Sequence, residues 1–64
     1  MTCTINTLPS CPYCVKAKKL LDFKGIEYTE VNGKFDGWAT VPYIVIDGEH
    51  IGGYAELLQY VRNL

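Results

Sequence analysis

The chain has 64 residues, 48% of them hydrophobic, and a formal net charge of -1, which fits one domain spanning residues 1–64, near the lower size at which an apolar core alone suffices. That balance excludes a disordered tail and offers no basic surface for nucleic acid. No apolar run has the length of a membrane span and the start lacks the basic and apolar blocks of a secretory signal, so the reading is a soluble, cytoplasmic protein, and an odd number of cysteines fits a reducing compartment.

Cys3-Thr4-Ile5-Asn6-Thr7 reads as a strand, with Cys3 at alternating spacing from Ile5 and therefore a small apolar residue facing the core. Next come Cys11-Pro12-Tyr13-Cys14 and the helical spacing of Ala17, Leu20, Leu21 and Lys24. Together they predict a helix from Pro12 to about Lys24, stopped by Gly25. Pro12 suits the first helical position, since its fixed φ matches a helix and its missing N–H has no intrahelical partner there. Cys11 therefore stands at the helix N-terminus, where unpaired N–H groups and the positive end of the helix dipole favour a thiolate. Cys14 lies one turn further, within disulfide reach and less exposed. The arrangement makes Cys11 the attacking sulfur and Cys14 the resolving one.

Of the lysines that follow, Lys16 is near enough in sequence to influence the thiolate, whereas Lys18 and Lys19 read as solubilising residues of an exposed helix face. Zinc would need two further ligands, and Cys3 and His50 lack the spacing of a second knuckle, so no metal site is expected. A purely structural disulfide closing so short a loop would restrict the unfolded chain very little. A redox-active dithiol is the better reading.

Ile26 to Val31, rich in β-branched and aromatic residues, predicts a second strand, and strand, helix and strand in this order imply a right-handed crossover and a parallel pair. Asn32 to Ala39 allows one helical turn or a loop. The large indole of Trp38 is expected to fold over the sheet edge near the cysteine pair. Val41 to Ile46 is strand-like, and the apolar run Tyr43-Ile44-Val45-Ile46 predicts the most buried strand. Asp47-Gly48 is a hairpin signal leading into Glu49-His50-Ile51. After Gly52-Gly53 comes a closing helix with Tyr54, Leu57, Leu58, Val61 and Leu64 as its apolar stripe. The result is an α/β fold, a four-stranded mixed sheet with two main helices and a shortened or absent middle helix.

Cys11-Pro12-Tyr13-Cys14, Thr40-Val41-Pro42 and Ile51-Gly52-Gly53-Tyr54 occur in the order and approximate spacing of glutaredoxins, and the chain resembles a small member of that family over nearly its whole length. The resemblance implies a minimal thioredoxin fold and a thiol-disulfide oxidoreductase that reduces protein disulfides or glutathione-mixed disulfides. It implies a cis bond before Pro42, lying against the cysteine pair. It further implies glutathione as reducing co-substrate, with no bound cofactor. The tripeptide would lie extended against the Val41 backbone, with Tyr13 beside its sulfur and the amides of Tyr54 and Ala55 after Gly53 receiving its γ-glutamyl carboxylate. Glu56 matches an acidic position of the family. Three departures stand out: Leu8 where many relatives have a lysine or arginine, Ala55 where they often have a polar or acidic residue, and a short segment from Asn32 to Thr40.

The expected partners are glutathione and disulfide-containing proteins, with the chain acting as a monomer. One alternative keeps the reaction but recharges the protein through a thioredoxin-type reductase. Another is an iron-sulfur carrier in which two chains hold a cluster through Cys11 and two glutathiones, which the resemblance disfavours because a proline follows the first cysteine.

Overall fold

The computed structural model describes residues 2–34, 36–37 and 40–64. Its elements are β1 (Cys3–Thr7), α1 (Pro12–Phe23), β2 (Thr29–Asn32), β3 (Tyr43–Ile46), β4 (Glu49–Gly52) and α2 (Tyr54–Arg62). The strands form one mixed sheet in the order β2-β1-β3-β4. β1 and β2 are parallel, as the crossover through α1 requires, with Thr4 opposite Thr29. β1 runs antiparallel to β3, with Cys3 opposite Ile46 and Ile5 opposite Ile44. β3 and β4 form the expected hairpin, and Asp47 adopts the positive φ, 51°, that such a tight turn needs.

Side chains alternate across a strand, so Cys3 and Ile5 share a face with their partners Ile44 and Ile46. That face meets Ala17 and Leu21 of α1 and Leu57 and Val61 of α2 in one buried cluster. The two helices also touch each other. Among the described residues between β2 and β3 there is no helix, in line with the short segment. Its start is tied to β1: the Gly33 N–H donates to the Thr7 carbonyl at 2.7 Å, and the Asn6 amide donates to the Gly33 carbonyl at 3.2 Å.

Four expectations about the elements need correction. The second strand begins at Thr29 rather than Ile26, because the residues before it finish α1. Gly25, at φ 71°, donates its N–H to the Asp22 carbonyl and Ile26 donates to the Leu21 carbonyl, a Schellman arrangement in which Ile26 packs back on Leu21 within the core. The third strand begins at Tyr43, since Pro42 has no N–H for a ladder. The most buried strand is β1, in which only Thr4 is partly exposed, while β3 alternates between buried and half-buried residues. β1 is the strand flanked by both β2 and β3 and covered by the helices. Leu64 lies beyond the end of α2 and is 67% exposed, so it drops out of the apolar stripe. Trp38 lies outside the described residues, and with it the expected cover over the sheet edge.

Candidate active site

Cys11 is the N-cap of α1, with an extended backbone (φ -96°, ψ 106°), and Pro12 opens the helix behind it. The cap geometry aims one first-turn amide at the sulfur. The Cys14 backbone N–H donates to the Cys11 Sγ at 3.0 Å, in the role a serine or aspartate oxygen plays at other helix starts. Cys11 and Cys14 are joined as a disulfide, with Cα atoms 5.2 Å apart. The two sulfurs differ in access, for Cys14 is 1% exposed whereas Cys11 is half-buried. The Cys11 Sγ also lies 3.8 Å from the Val41 carbonyl oxygen. The bond from Val41 to Pro42 is cis, and Pro42 is buried.

Beside the pair is a cavity of about 280 Å³ lined by Tyr13, Val41, Pro42, Gly53, Tyr54, Ala55 and Glu56. The sequence-predicted residues from three separate segments thus converge on one groove, adjacent to Cys11. The Tyr13 and Tyr54 rings meet with centroids 6.1 Å apart and planes at 32°. The Lys16 ammonium lies over the Tyr13 ring, 5.3 Å from its centroid. Leu8 contributes only its backbone carbonyl, which accepts the Cys11 N–H at 3.3 Å.

The back of the groove is held by Glu56, whose carboxylate accepts the Gly53 N–H at 2.8 Å. This is half of a capping box, and its signal in the sequence is a glutamate three residues after the N-cap. Sequence reasoning matched Glu56 to a family position without finding this bond. It also missed a polar cluster under α1. The Thr7 hydroxyl donates to Glu30 at 2.6 Å, and Lys18 pairs with the same carboxylate at 3.1 Å, so Lys18 is a partner rather than a free solubilising charge. Nothing local to any of the three residues signals that meeting.

Cys3 is 3% exposed in the core, and burial pushes its thiol up from the ordinary value, which leaves it protonated and unreactive. His50 stacks on Tyr43, centroids 4.4 Å apart. Among the described residues no group of three or more histidines, cysteines or carboxylates is placed to hold a metal ion. A larger hollow of about 490 Å³ opens between Asp22, Gly25 and Tyr28 at the far end of α1, and neither cysteine of the pair lines it.

The glutaredoxin family model matches residues 3–51. Glutaredoxin 1 of Rickettsia prowazekii (strain Madrid E) is 44% identical over 75 aligned positions, covering 97% of this chain and 79% of the relative. Glutaredoxin 3 of Escherichia coli K12 is 42% identical over 64 positions, covering 83% of this chain and 77% of the relative. Among solved structures, glutaredoxin 1 from Francisella tularensis complexed with cacodylate superposes with a TM-score of 0.86 at 30% identity, over 97% of this chain and 93% of that one. The buckwheat glutaredoxin–glutathione complex superposes with a TM-score of 0.82 at 27% identity, over 95% of this chain and 68% of that one. A closed cysteine pair at a helix start, a cis-proline beside it and matches of this extent agree: the chain belongs to the glutaredoxin family, the glutathione-dependent thiol-disulfide oxidoreductases.

Proposed function

We propose that Cys11 is the attacking sulfur, Cys14 the resolving one, and the groove between Tyr13, the Val41-Pro42 segment and the start of α2 the seat of glutathione. The observation that carries this reading is the asymmetry of the pair. The half-buried Cys11 sulfur receives the Cys14 N–H at 3.0 Å, a contact that stabilises negative charge, while Cys14 is 1% exposed and meets an outside disulfide poorly.

In the reducing direction the Cys11 thiolate attacks the sulfur of the substrate disulfide in line with its S–S bond. A new bond forms from Cys11 to that sulfur, the old one breaks, and the departing thiolate takes a proton from water. For a glutathione-mixed disulfide, glutathione remains on Cys11, with the Tyr13 ring flanking its sulfur and the Val41 backbone pairing with its cysteine unit. Its γ-glutamyl carboxylate meets the free amides of Tyr54 and Ala55 at the start of α2, where the helix dipole favours an anion. A second glutathione thiolate then releases oxidised glutathione and restores Cys11. With a protein disulfide, Cys14 attacks instead, closing the bond that the structure contains, and two glutathione molecules reopen it. The buckwheat complex supports glutathione as the ligand, as a precedent in a relative of the same fold. We read the protein as a monomer working in the cytoplasm, where one catalytic pair and a free Cys3 suit a reducing environment.

The test is turnover with glutathione and glutathione reductase on two substrates, a glutathionylated peptide and a protein disulfide. Cys11→Ser is expected to abolish both activities. Cys14→Ser is expected to lose the protein disulfide and keep the glutathionylated peptide, because glutathione does the resolving there. Equal loss in the two variants overturns the assignment of roles. Turnover with a thioredoxin reductase in place of glutathione would instead favour recharging by that enzyme.

A further inference from the structure

Charge is spread unevenly over this chain. Four of its 6 basic residues, Lys16, Lys18, Lys19 and Lys24, fall within a single stretch, and Asp22 is the one acid among them. The other acids stand against only Lys34 and Arg62. A protein of net charge -1 therefore carries a positive α1 on a negative body.

α1 buries Cys14, Ala17 and Leu21. Its outer face presents Val15, Lys19 and Phe23, four residues apart and so neighbours along the helix surface, with Lys16 beside Val15. Lys16 and Lys19 are exposed, Val15 is 46% exposed and Phe23 82%. This stripe starts one residue past Cys14 and runs away from the disulfide for about 12 Å, a span that about four extended residues cover.

Two features make the stripe more than a solvated face. The sole ion pair among the described residues joins Lys18 to Glu30, which leaves Lys16 and Lys19 without a carboxylate. The Tyr13 ring that Lys16 overlies attracts its ammonium without neutralising it. Val15 and Phe23, in turn, leave apolar surface in water at both ends of the stripe, and covering it is favourable. A segment with both carboxylates and an apolar side chain meets both needs. A nucleic acid would leave the apolar ends uncovered, and the negative body would repel it.

We propose that the outer face of α1, formed by Val15, Lys16, Lys19 and Phe23, is a docking surface for protein disulfides. It fits an acidic segment that carries an apolar side chain next to the substrate's cysteine. Docking there serves the attack by Cys11 and rests on that reading. The uneven charge steers such a partner toward α1 and away from the rest of the surface.

The experiment uses two peptides of one sequence, each closed by an internal disulfide and extended by a leucine with a run of either glutamates or glutamines. Reduction is followed with glutathione and glutathione reductase. The wild type is expected to prefer the glutamate peptide about fivefold in kcat/KM, a preference that added salt screens away. Lys19→Gln should lower kcat/KM for that peptide about threefold through KM, the effect of losing one exposed ion pair, while the glutamine peptide and a glutathionylated peptide are unchanged. Lys19→Arg should keep the preference. Phe23→Ala should weaken both extended peptides about threefold through lost apolar contact. Arg62→Gln, an equal charge change at the end of α2, should behave as wild type. Equal rates on the two peptides, an equal loss in Arg62→Gln, or a Phe23→Ala protein that matches wild type overturns the docking surface while disulfide reduction stands. Binding of RNA or of anionic vesicles that Lys19→Gln abolishes, without any peptide preference, overturns it likewise. A wild type that reduces neither peptide removes the reading of Cys11 and this proposal with it.

Discussion

The Glu56 carboxylate and the Gly53 backbone N–H, 2.8 Å apart, tie the N-cap of α2 to its first turn and so hold the wall of the groove against Pro42. Gly52 belongs to the same device. A Cβ there would fall 2.9 Å from the Glu56 Cγ, on a backbone whose φ of +121° side chains rarely adopt.

Gly52→Ala is therefore expected to cost about 2 kcal/mol or more, from the backbone conformation and from the displacement of Glu56 together. Glu56→Ala, which only deprives the cap N–H of its acceptor, should cost about 1 kcal/mol, or roughly 5 °C in Tm for a domain of this size. Thermal denaturation of both variants checks the order, and a Gly52→Ala protein as stable as wild type would contradict it.

The N-cap position of Cys11 predicts that in the reduced protein its thiol ionises below the range of a free cysteine. Alkylation rate against pH reads this directly. Leu8→Lys should lower the value further and improve the use of glutathione, because it adds a cation beside the Cys11 amide that Leu8 already accepts. If both quantities stay at the wild-type level, the charge at that position is unimportant.

Glu30 sits well placed to couple stability to acid. Its carboxyl is held below the ordinary value, first by the Thr7 hydroxyl and next by the Lys18 ammonium. A folded-state value lower than the unfolded one contributes stability above the unfolded value and loses it as pH falls through the folded one. Thr7→Val removes the largest cause, so the variant should be less stable than wild type at neutral pH, with the gap closing below the carboxylate range. Urea unfolding at neutral and acid pH measures the gap, and a difference independent of pH would rule out this coupling.

Cys3 gives the complementary alkaline prediction. Burial raises its folded-state value, so its contribution is complete below the unfolded thiol value and declines as pH rises toward the folded one. Wild type should lose stability at alkaline pH more steeply than Cys3→Ala. Cys3→Ser, which buries a hydroxyl in an apolar cluster, should cost about 1–3 kcal/mol, with disulfide reduction per folded molecule unchanged. Alkylation of the native reduced protein should spare Cys3, and rapid modification there would mean the core opens far more readily than its packing implies.

The local chemistry of this protein is written in short stretches of sequence. Cys11-Pro12-Tyr13-Cys14 fixes a dithiol at a helix start because proline restricts φ and lacks an N–H, both effects acting within the residue itself. Asp47-Gly48 defines its hairpin for a similar reason, and the period of Ala17, Leu20 and Leu21 defines α1. Tertiary structure decided what depends on partners distant along the chain. Where β2 begins was settled by the Leu21 and Asp22 carbonyls, which claim the amides of Ile26 and Gly25. Burial of β1 above β3 followed from strand order, to which the apolar run at Tyr43–Ile46 is blind. The meeting of Thr7, Lys18 and Glu30 required a helix crossing over a parallel pair, and the groove required Tyr13, Val41 and Tyr54 to arrive from two helices and the loop before β3. Resemblance supplied that convergence in advance; periodicity and propensity, which extend over only a few residues, carry no term for it.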